Sequence, residues 1–204
     1  LKVAQSARLM GLRYLTITSV DRDDLPDQGA MHWLETLKTI RLLNPEITLE
    51  ILTPDFQGNT DLLDLVLSGN PDVFNHNLET VERLQKEIRK LANWSHSWRI
   101  LDHARKRGFR IKTGLMLGLG ETETEIRSFI DTAADHGVDI LTIGQYLRPT
   151  TKHHPVIKYY TPAEFAELAH YALKKGIAHC ESGPLVRSSW HAQEQELRAR
   201  LKAV

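Results

Sequence analysis

Apolar and polar residues along this chain follow two rhythms that take turns. Short runs with strand character recur as YLTITS (14–19), TLEILT (48–53), DVFNHN (72–77), IKTGLMLGL (111–119) and DILTIGQYL (139–147), with a weaker AHCESGPL (178–185). Between them, apolar positions fall at helical spacing. Trp33, Leu37, Ile40 and Leu43 share one face, and Val81, Leu84, Ile88 and Leu91 share another. Ile126, Phe129, Ile130 and Ala133 form a third, and Phe165, Leu168, Ala169 and Ala172 a fourth. Trp94, Trp98 and Leu101 make a separate face between Leu91 and Gly108, so that connection is expected to hold two helices. Thr122 with Glu125, and Thr161 with Pro162 and Glu164, mark helix starts, because a threonine hydroxyl there accepts a free first-turn N–H. Gly108, Gly137 and Gly176 stand where helices end.

Strands alternating with helices predict a parallel sheet. Nearly every strand run closes on polar or glycine residues: Thr18–Ser19, Thr53–Pro54–Asp55, Asn75–His76–Asn77, Gly118–Gly120–Glu121 and Gln145–Tyr146. Parallel α/β folds bind ligands at the carboxyl ends of their strands. Polar ends drawn from five strands suit one shared pocket at the top of a barrel, whereas an open doubly wound sheet concentrates its site at one switch point. The expected fold is α/β, a partial TIM-like barrel, as a single domain over 1–204.

Composition narrows the function. Lys+Arg and Asp+Glu balance at 26 each, so no net field draws nucleic acid or an anionic membrane, and neither is an expected partner. No apolar run approaches the ~20 residues that span a bilayer. Cys180, the single cysteine, has no internal disulfide partner, which fits a reducing, cytoplasmic setting. The opening LKVAQSARLMG reads as the middle of a helix, so the chain is expected to continue a longer protein.

Several motifs carry a bland reading beside a chemical one. GLMLGLGETETE (114–125) lacks the Lys-Ser/Thr of a phosphate-binding P-loop and has Glu123 where a dinucleotide fingerprint needs its third glycine. It is either a tight strand-to-helix turn or a place where an adenine approaches the backbone closely. The TSVDRDDLPDQGA loop (18–30) reads by default as solvated. In FNHN (74–77), two amides flank an imidazole at a strand end, where amides bind sugar hydroxyls or close a turn. His76, His153–His154, His179 and His191 invite a metal, but no paired His/Cys spacing supports one. No G-x-S-x-G elbow marks a serine nucleophile. In GPLVRSSWHA (183–192), Ser188 and Ser189 are either helix N-caps or ligand residues.

Taken in order, TSVDRDDLPDQGA, TPDFQGN, DVFNHNLETVERL, KTGLMLGLGET, IGQYLRPTTKHHPV and GPLVRSSWHA resemble the lipoyl synthases of the radical S-adenosylmethionine (SAM) superfamily, over essentially the whole chain. The resemblance implies a partial (β/α)6 barrel and insertion of two sulfur atoms at carbons 6 and 8 of an octanoyl-lysine on a carrier domain. It implies SAM, two [4Fe–4S] clusters (one reducing SAM, one auxiliary and surrendering sulfur) and an electron-donor protein. It places Ser189 on an iron of the auxiliary cluster, with Arg187 nearby. Thr18 and Ser19 then meet the methionine amine, Asn75 and Asn77 the ribose. Met116, Gly118 and Glu121 receive the adenine and ribose, joined by Gln145 and Tyr146. The family's C-x3-C-x2-C loop and three further upstream cysteines are not in these residues, so the chain is expected to lack an N-terminal portion and to be inactive by itself. Gln28 stands where the family has glycine and Trp190 where it has tyrosine. Two alternatives are an inert scaffold that binds the carrier domain without clusters, and a SAM-dependent barrel with another substrate. The R-S-S-W-H ending argues against the second.

Overall fold

The strand runs all form, each ending within two residues of its expected limits. In the computed structural model, which describes residues 1–202, they are β1 (Tyr14–Thr18), β2 (Thr48–Leu52), β3 (Val73–Asn75), β4 (Arg110–Leu117), β5 (Ile140–Gln145) and β6 (His179–Gly183). They lie side by side in chain order, every pair parallel. Helices α1 (Lys2–Leu9), α2 (Ala30–Leu43), α3 (Thr60–Leu67), α4 (Gln85–Ile88), α5 (Trp94–Lys106), α6 (Glu123–Asp135), α7 (Pro162–Lys174) and α8 (Ala192–Lys202) complete the chain. None is long and apolar enough to cross a membrane.

Side chains alternate across a strand, and here the two faces have opposite character. Leu15, Ile51, Phe74, Ile111, Leu141 and Ile143 join the helices in one hydrophobic core. Fully burying such a side chain contributes about 1.5–3 kcal/mol. The other face, toward the barrel lumen, carries Tyr14, Glu50, Asn75, Lys112 and Thr142, interleaved with Gly114 and Gly144. Thr16 registers beside Glu50, Asn75 beside Lys112, and Gly114 beside Thr142.

Both expected capping boxes form, Thr122 with Glu125 and Thr161 with Glu164. The expected helical face from Val81 to Leu91 does not. Val81 and Leu84 are buried, but Leu91 is 97% exposed. A 3-10 turn (Glu82–Leu84) runs into the four-residue α4 and stops at Arg89, whose guanidinium leaves the helix line to donate to the Asn77 carbonyl at 3.0 Å. Helix α3, absent from the sequence reading, is only eight residues long, too few for a periodic signal, and is started by Asn59 accepting from the Asp61 and Leu62 amides.

The imidazole of FNHN is turned away from the lumen, toward α5. His76 Nδ1 meets the Thr53 carbonyl at 2.9 Å and Nε2 meets Ser97 Oγ at 2.9 Å. A carbonyl only accepts, so Nδ1 carries the proton and Nε2 accepts from Ser97. Burial pushes the His76 pKa down from 6.5 to about 4. Above the ordinary value neither the folded nor the unfolded chain binds this proton. Below it the unfolded chain takes one up and the folded chain refuses. Stability is therefore expected to fall as pH drops from 6.5 to about 4, by on the order of 3 kcal/mol from this residue. Urea midpoints against pH check this: a His76→Gln variant should lack that part of the slope.

The C-terminal helix α8 packs against β6, β5 and β1, the two edges of the sheet and the strand beside one of them. Its buried Glu196 accepts from Arg110 at the start of β4 at 2.5 Å and from Arg200 Nε at 3.0 Å. The helix begins at Ala192, so Ser188 and Ser189 do not cap it. They lie in the preceding turn, tightened by the Trp190 N–H donating to the Arg187 carbonyl at 2.9 Å.

Candidate active site

Glycines in the lumen make room for a cleft. At Gly114 a Cβ would stand 2.8 Å from both Asn77 Oδ1 and Thr142 Oγ1, and at Gly144 it would stand 2.4 Å from the Val186 carbonyl oxygen. With hydrogens there instead, the chain at 186–188 lies over β5, and a cleft of about 450 Å³ opens above β4 and β5. Among its walls are Asn77, Glu79, Met116, Tyr146, Arg187 and Ser188.

The polar groups of this cleft are only partly paired. Asn77 Nδ2 donates to Ser188 Oγ at 3.3 Å, while Asn77 Oδ1 is buried without a partner. Such an orphaned acceptor is unfavourable by about 1–3 kcal/mol unless a ligand donor meets it. Glu79 holds a left-handed backbone (φ 69°), and burial raises its carboxyl pKa against the opposing pull of Arg89. Its backbone bridges to β4, donating to the Gly114 carbonyl and accepting from the Met116 N–H. Sequence reasoning passed over Glu79; the acid two residues beyond a strand-end asparagine was the available signal.

Of the ten expected site residues, Asn77, Met116, Gln145 and Tyr146 line this cleft. The Gln145 side chain is engaged otherwise. Its Nε2 donates to the carbonyls of Leu117, Tyr146 and Lys158, and its Oε1 accepts from the Tyr160 N–H, strapping residues 157–160 across the end of β4. Glu121 caps the same turn, accepting from the Gly118 and Leu119 amides at 2.6 and 2.9 Å. Gly118 has φ +106°, and a Cβ there would strike Gln145 Nε2 at 2.3 Å, so glycine is needed for the strap and the turn. Asn75 is fully buried lower in the lumen and donates to Glu50 at 2.8 Å.

Thr18 and Ser19 are exposed at the end of β1 and stay outside the cleft. The ends of β1 and β2 open instead on a separate depression with Asp21, Asp55 and Arg89. The five strand ends therefore do not share one pocket: the cleft is built on β3, β4 and β5. Ser189 lies beside, not in, it. Its exposed side chain lines a shallow depression with Tyr14, Thr16 and His191. The histidines do not assemble: no group of three His, Cys, Asp or Glu suited to a metal ion occurs among the described residues.

A parallel partial barrel with a polar lumen and a glycine-backed cleft at the strand tops is the architecture of radical SAM enzymes, and residues 1–133 match the radical SAM superfamily. Solved structures agree on the fold. Methylornithine synthase superposes with a TM-score of 0.65 at 10% identity, covering 98% of this chain and 58% of its own. HydG, a maturase of the [FeFe]-hydrogenase, gives 0.67 at 16%, covering 97% and 46%. Lipoyl synthases of Bacteroides thetaiotaomicron and Porphyromonas gingivalis are 49% and 50% identical over 192 residues, 94% of this chain and 68% of theirs. The chain belongs to the lipoyl synthase family, sulfur-inserting enzymes that use SAM and a [4Fe–4S] cluster and act on an octanoylated carrier.

The residues present fit SAM better than they fit a cluster. An unpartnered amide oxygen in a glycine-backed cleft suits a ligand bearing hydroxyl and amine donors. Thiolates are the usual ligands of iron–sulfur clusters. Cys180, the one cysteine, is buried on the helix-facing side of β6, and burial drives its thiol pKa up, away from thiolate. The residues of this chain do not themselves supply a thiolate set.

Proposed function

We propose that this chain forms the SAM-binding barrel of a lipoyl synthase. Asn77, Met116 and Tyr146 face SAM, and Ser189 offers an oxygen ligand to an auxiliary [4Fe–4S] cluster that donates sulfur to an octanoyl-lysine. The observation that carries the reading is the buried, unpartnered Asn77 Oδ1 in the cleft beneath 186–188. SAM with its cluster supplies the radical chemistry that unactivated alkyl carbons require. The chain's own part is placement: Asn77 presents an acceptor, Gly114 and Gly144 keep the floor low, and the 186–188 segment screens the cleft from water. Gly118, Glu121 and Gln145 serve SAM indirectly, by shaping the end of β4. Asn75, bonded to Glu50 below the cleft, takes no part in this reading of SAM binding. Thr18 and Ser19 meet the methionine end of SAM only if their loop moves inward.

In the cluster-loaded enzyme, Asn77→Leu is expected to weaken SAM binding about tenfold, the loss of one ligand hydrogen bond. Equilibrium binding measures it, and unchanged affinity would remove Asn77 from the site. Ser189→Cys is expected to keep its iron while lipoyl product per SAM cleaved falls about tenfold, because thiolate is the softer and firmer ligand for a cluster that must be dismantled. Undiminished product from that variant counts against the ligand role.

A further inference from the structure

Four neighbouring strands each send one polar side chain to the same point low in the lumen, and the reaction as described leaves that point without a role. Glu50 Oε2 accepts from Tyr14 Oη at 2.6 Å, and Oε1 accepts from Asn75 Nδ2 at 2.8 Å. Lys112 Nζ stands 3.0 Å from Oε1 and 3.1 Å from Oε2. Both charged side chains are fully buried. Burial drives the Lys112 pKa down, and Glu50 opposes that shift. As a source of stability such a pair is weak, because well-packed apolar residues of the same volume do as well or better.

The ammonium has a further donor, and its partner lies outside the sheet: Lys112 Nζ donates to the Ser188 carbonyl at 2.5 Å. Ser188 belongs to the turn that runs from the cleft to α8. The turn is thus held at two points, its carbonyl by Lys112 from below and its hydroxyl by Asn77 from the side. The next side chain, Ser189, makes no hydrogen bond among the described residues and stands over Tyr14 and Thr16. A charged donor bonds a carbonyl about twice as strongly as a neutral one, which gives the buried charge a purpose that an apolar pair lacks.

We infer that Lys112 is a positioning residue: kept charged by Glu50, it seats the 187–190 turn through the Ser188 carbonyl and thereby sets where the Ser189 hydroxyl stands. The consequence for Ser189 rests on the ligand role proposed above; the seating of the turn does not.

The test uses the cluster-loaded enzyme carrying the whole chain. Lys112→Met combined with Glu50→Gln removes both charges at near-constant volume and leaves Tyr14 and Asn75 a partner. Hydrogen exchange at the 187–190 amides is expected to rise about tenfold or more while the strand amides keep their protection. Glu50→Gln alone takes the counter-charge from the buried ammonium, so exchange at 187–190 should rise there too, and parental exchange in that variant would show that Glu50 does not sustain the contact. Unchanged exchange at 187–190 in the double variant overturns the inference. Should that variant not fold, Lys112→Gln with Glu50→Gln takes its place under the same expectations. Iron-57 Mössbauer spectra separate the two readings, with Ser189→Ala run in parallel. If Ser189→Ala leaves the spectrum unaltered, the ligand role fails and the exchange result stands. If it alters the spectrum and the double variant does not, Lys112 does not govern Ser189.

Discussion

Lys112→Met made alone is expected to lower folding stability by about 3–5 kcal/mol, since it strands the Glu50 carboxylate in a fully buried site without its counter-charge. Tyr14 and Asn75 remain as donors to Glu50, but two neutral hydrogen bonds do not offset a desolvated charge. Adding Glu50→Gln removes that charge, so the double variant should recover most of the loss. Urea denaturation of parent, single and double variants measures both steps. A single variant as stable as its parent would show that Glu50 is not held as an ion, and the account of the lumen would fail with it.

Gly144→Ala should act in the opposite manner, sparing the fold and damaging the site. Nothing in the β5 backbone at 144 resists a side chain, but the added methyl would sit 2.4 Å from the Val186 carbonyl oxygen. A main-chain carbonyl cannot rotate aside as a side chain does, so the 186–188 segment must lift by about 1 Å to restore ordinary contact. Displacements of that size at a reacting centre lower rates by about a hundredfold, and kcat/KM for lipoyl formation should fall accordingly with little change in melting temperature. Gly114→Ala should differ in kind: its new methyl meets the ends of the Asn77 and Thr142 side chains, which can turn away, so the 186–188 segment keeps its place while SAM binding weakens with the displaced Asn77 amide. A Gly144→Ala enzyme with parental kcat/KM would show that the segment is free to move without consequence.

The sheet was legible because its outward residues had to be apolar. Leu15, Ile51, Ile111 and Ile143 pack toward the helices and make β1, β2, β4 and β5 visible as apolar runs, whereas β6 (HCESG) gave only a weak one. The alternation of side chains hid the site. Glu50 in TLEILT and Lys112 in IKTGLMLGL carried no signal of a role, since nothing in one strand says which residue of another will face it across the lumen. Gln145 ends β5 beside the cleft, but two of its partners, Lys158 and Tyr160, belong to a return of the chain that leaves no local mark in the sequence. Thr18 and Ser19 obeyed the rule of polar strand ends without sharing the cleft, because the cavity grew where Gly114 and Gly144 allowed it. The break after Ile88 was invisible to periodicity: Leu91 keeps the spacing of a buried face while standing in solvent.

The sheet does not close. Strand β1 pairs only with β2 and β6 only with β5, so no ladder bond ties the first strand to the last. What spans the seam is α8, which packs on both edge strands, β1 and β6. Widening the barrel therefore breaks side-chain contacts and leaves every backbone ladder intact, a small expenditure beside unzipping a strand. The circumference is adjustable along one line, and Ser189, at the head of that line, is moored away from both edges, because the Ser188 beside it is bound to β4 and to the residue just past β3.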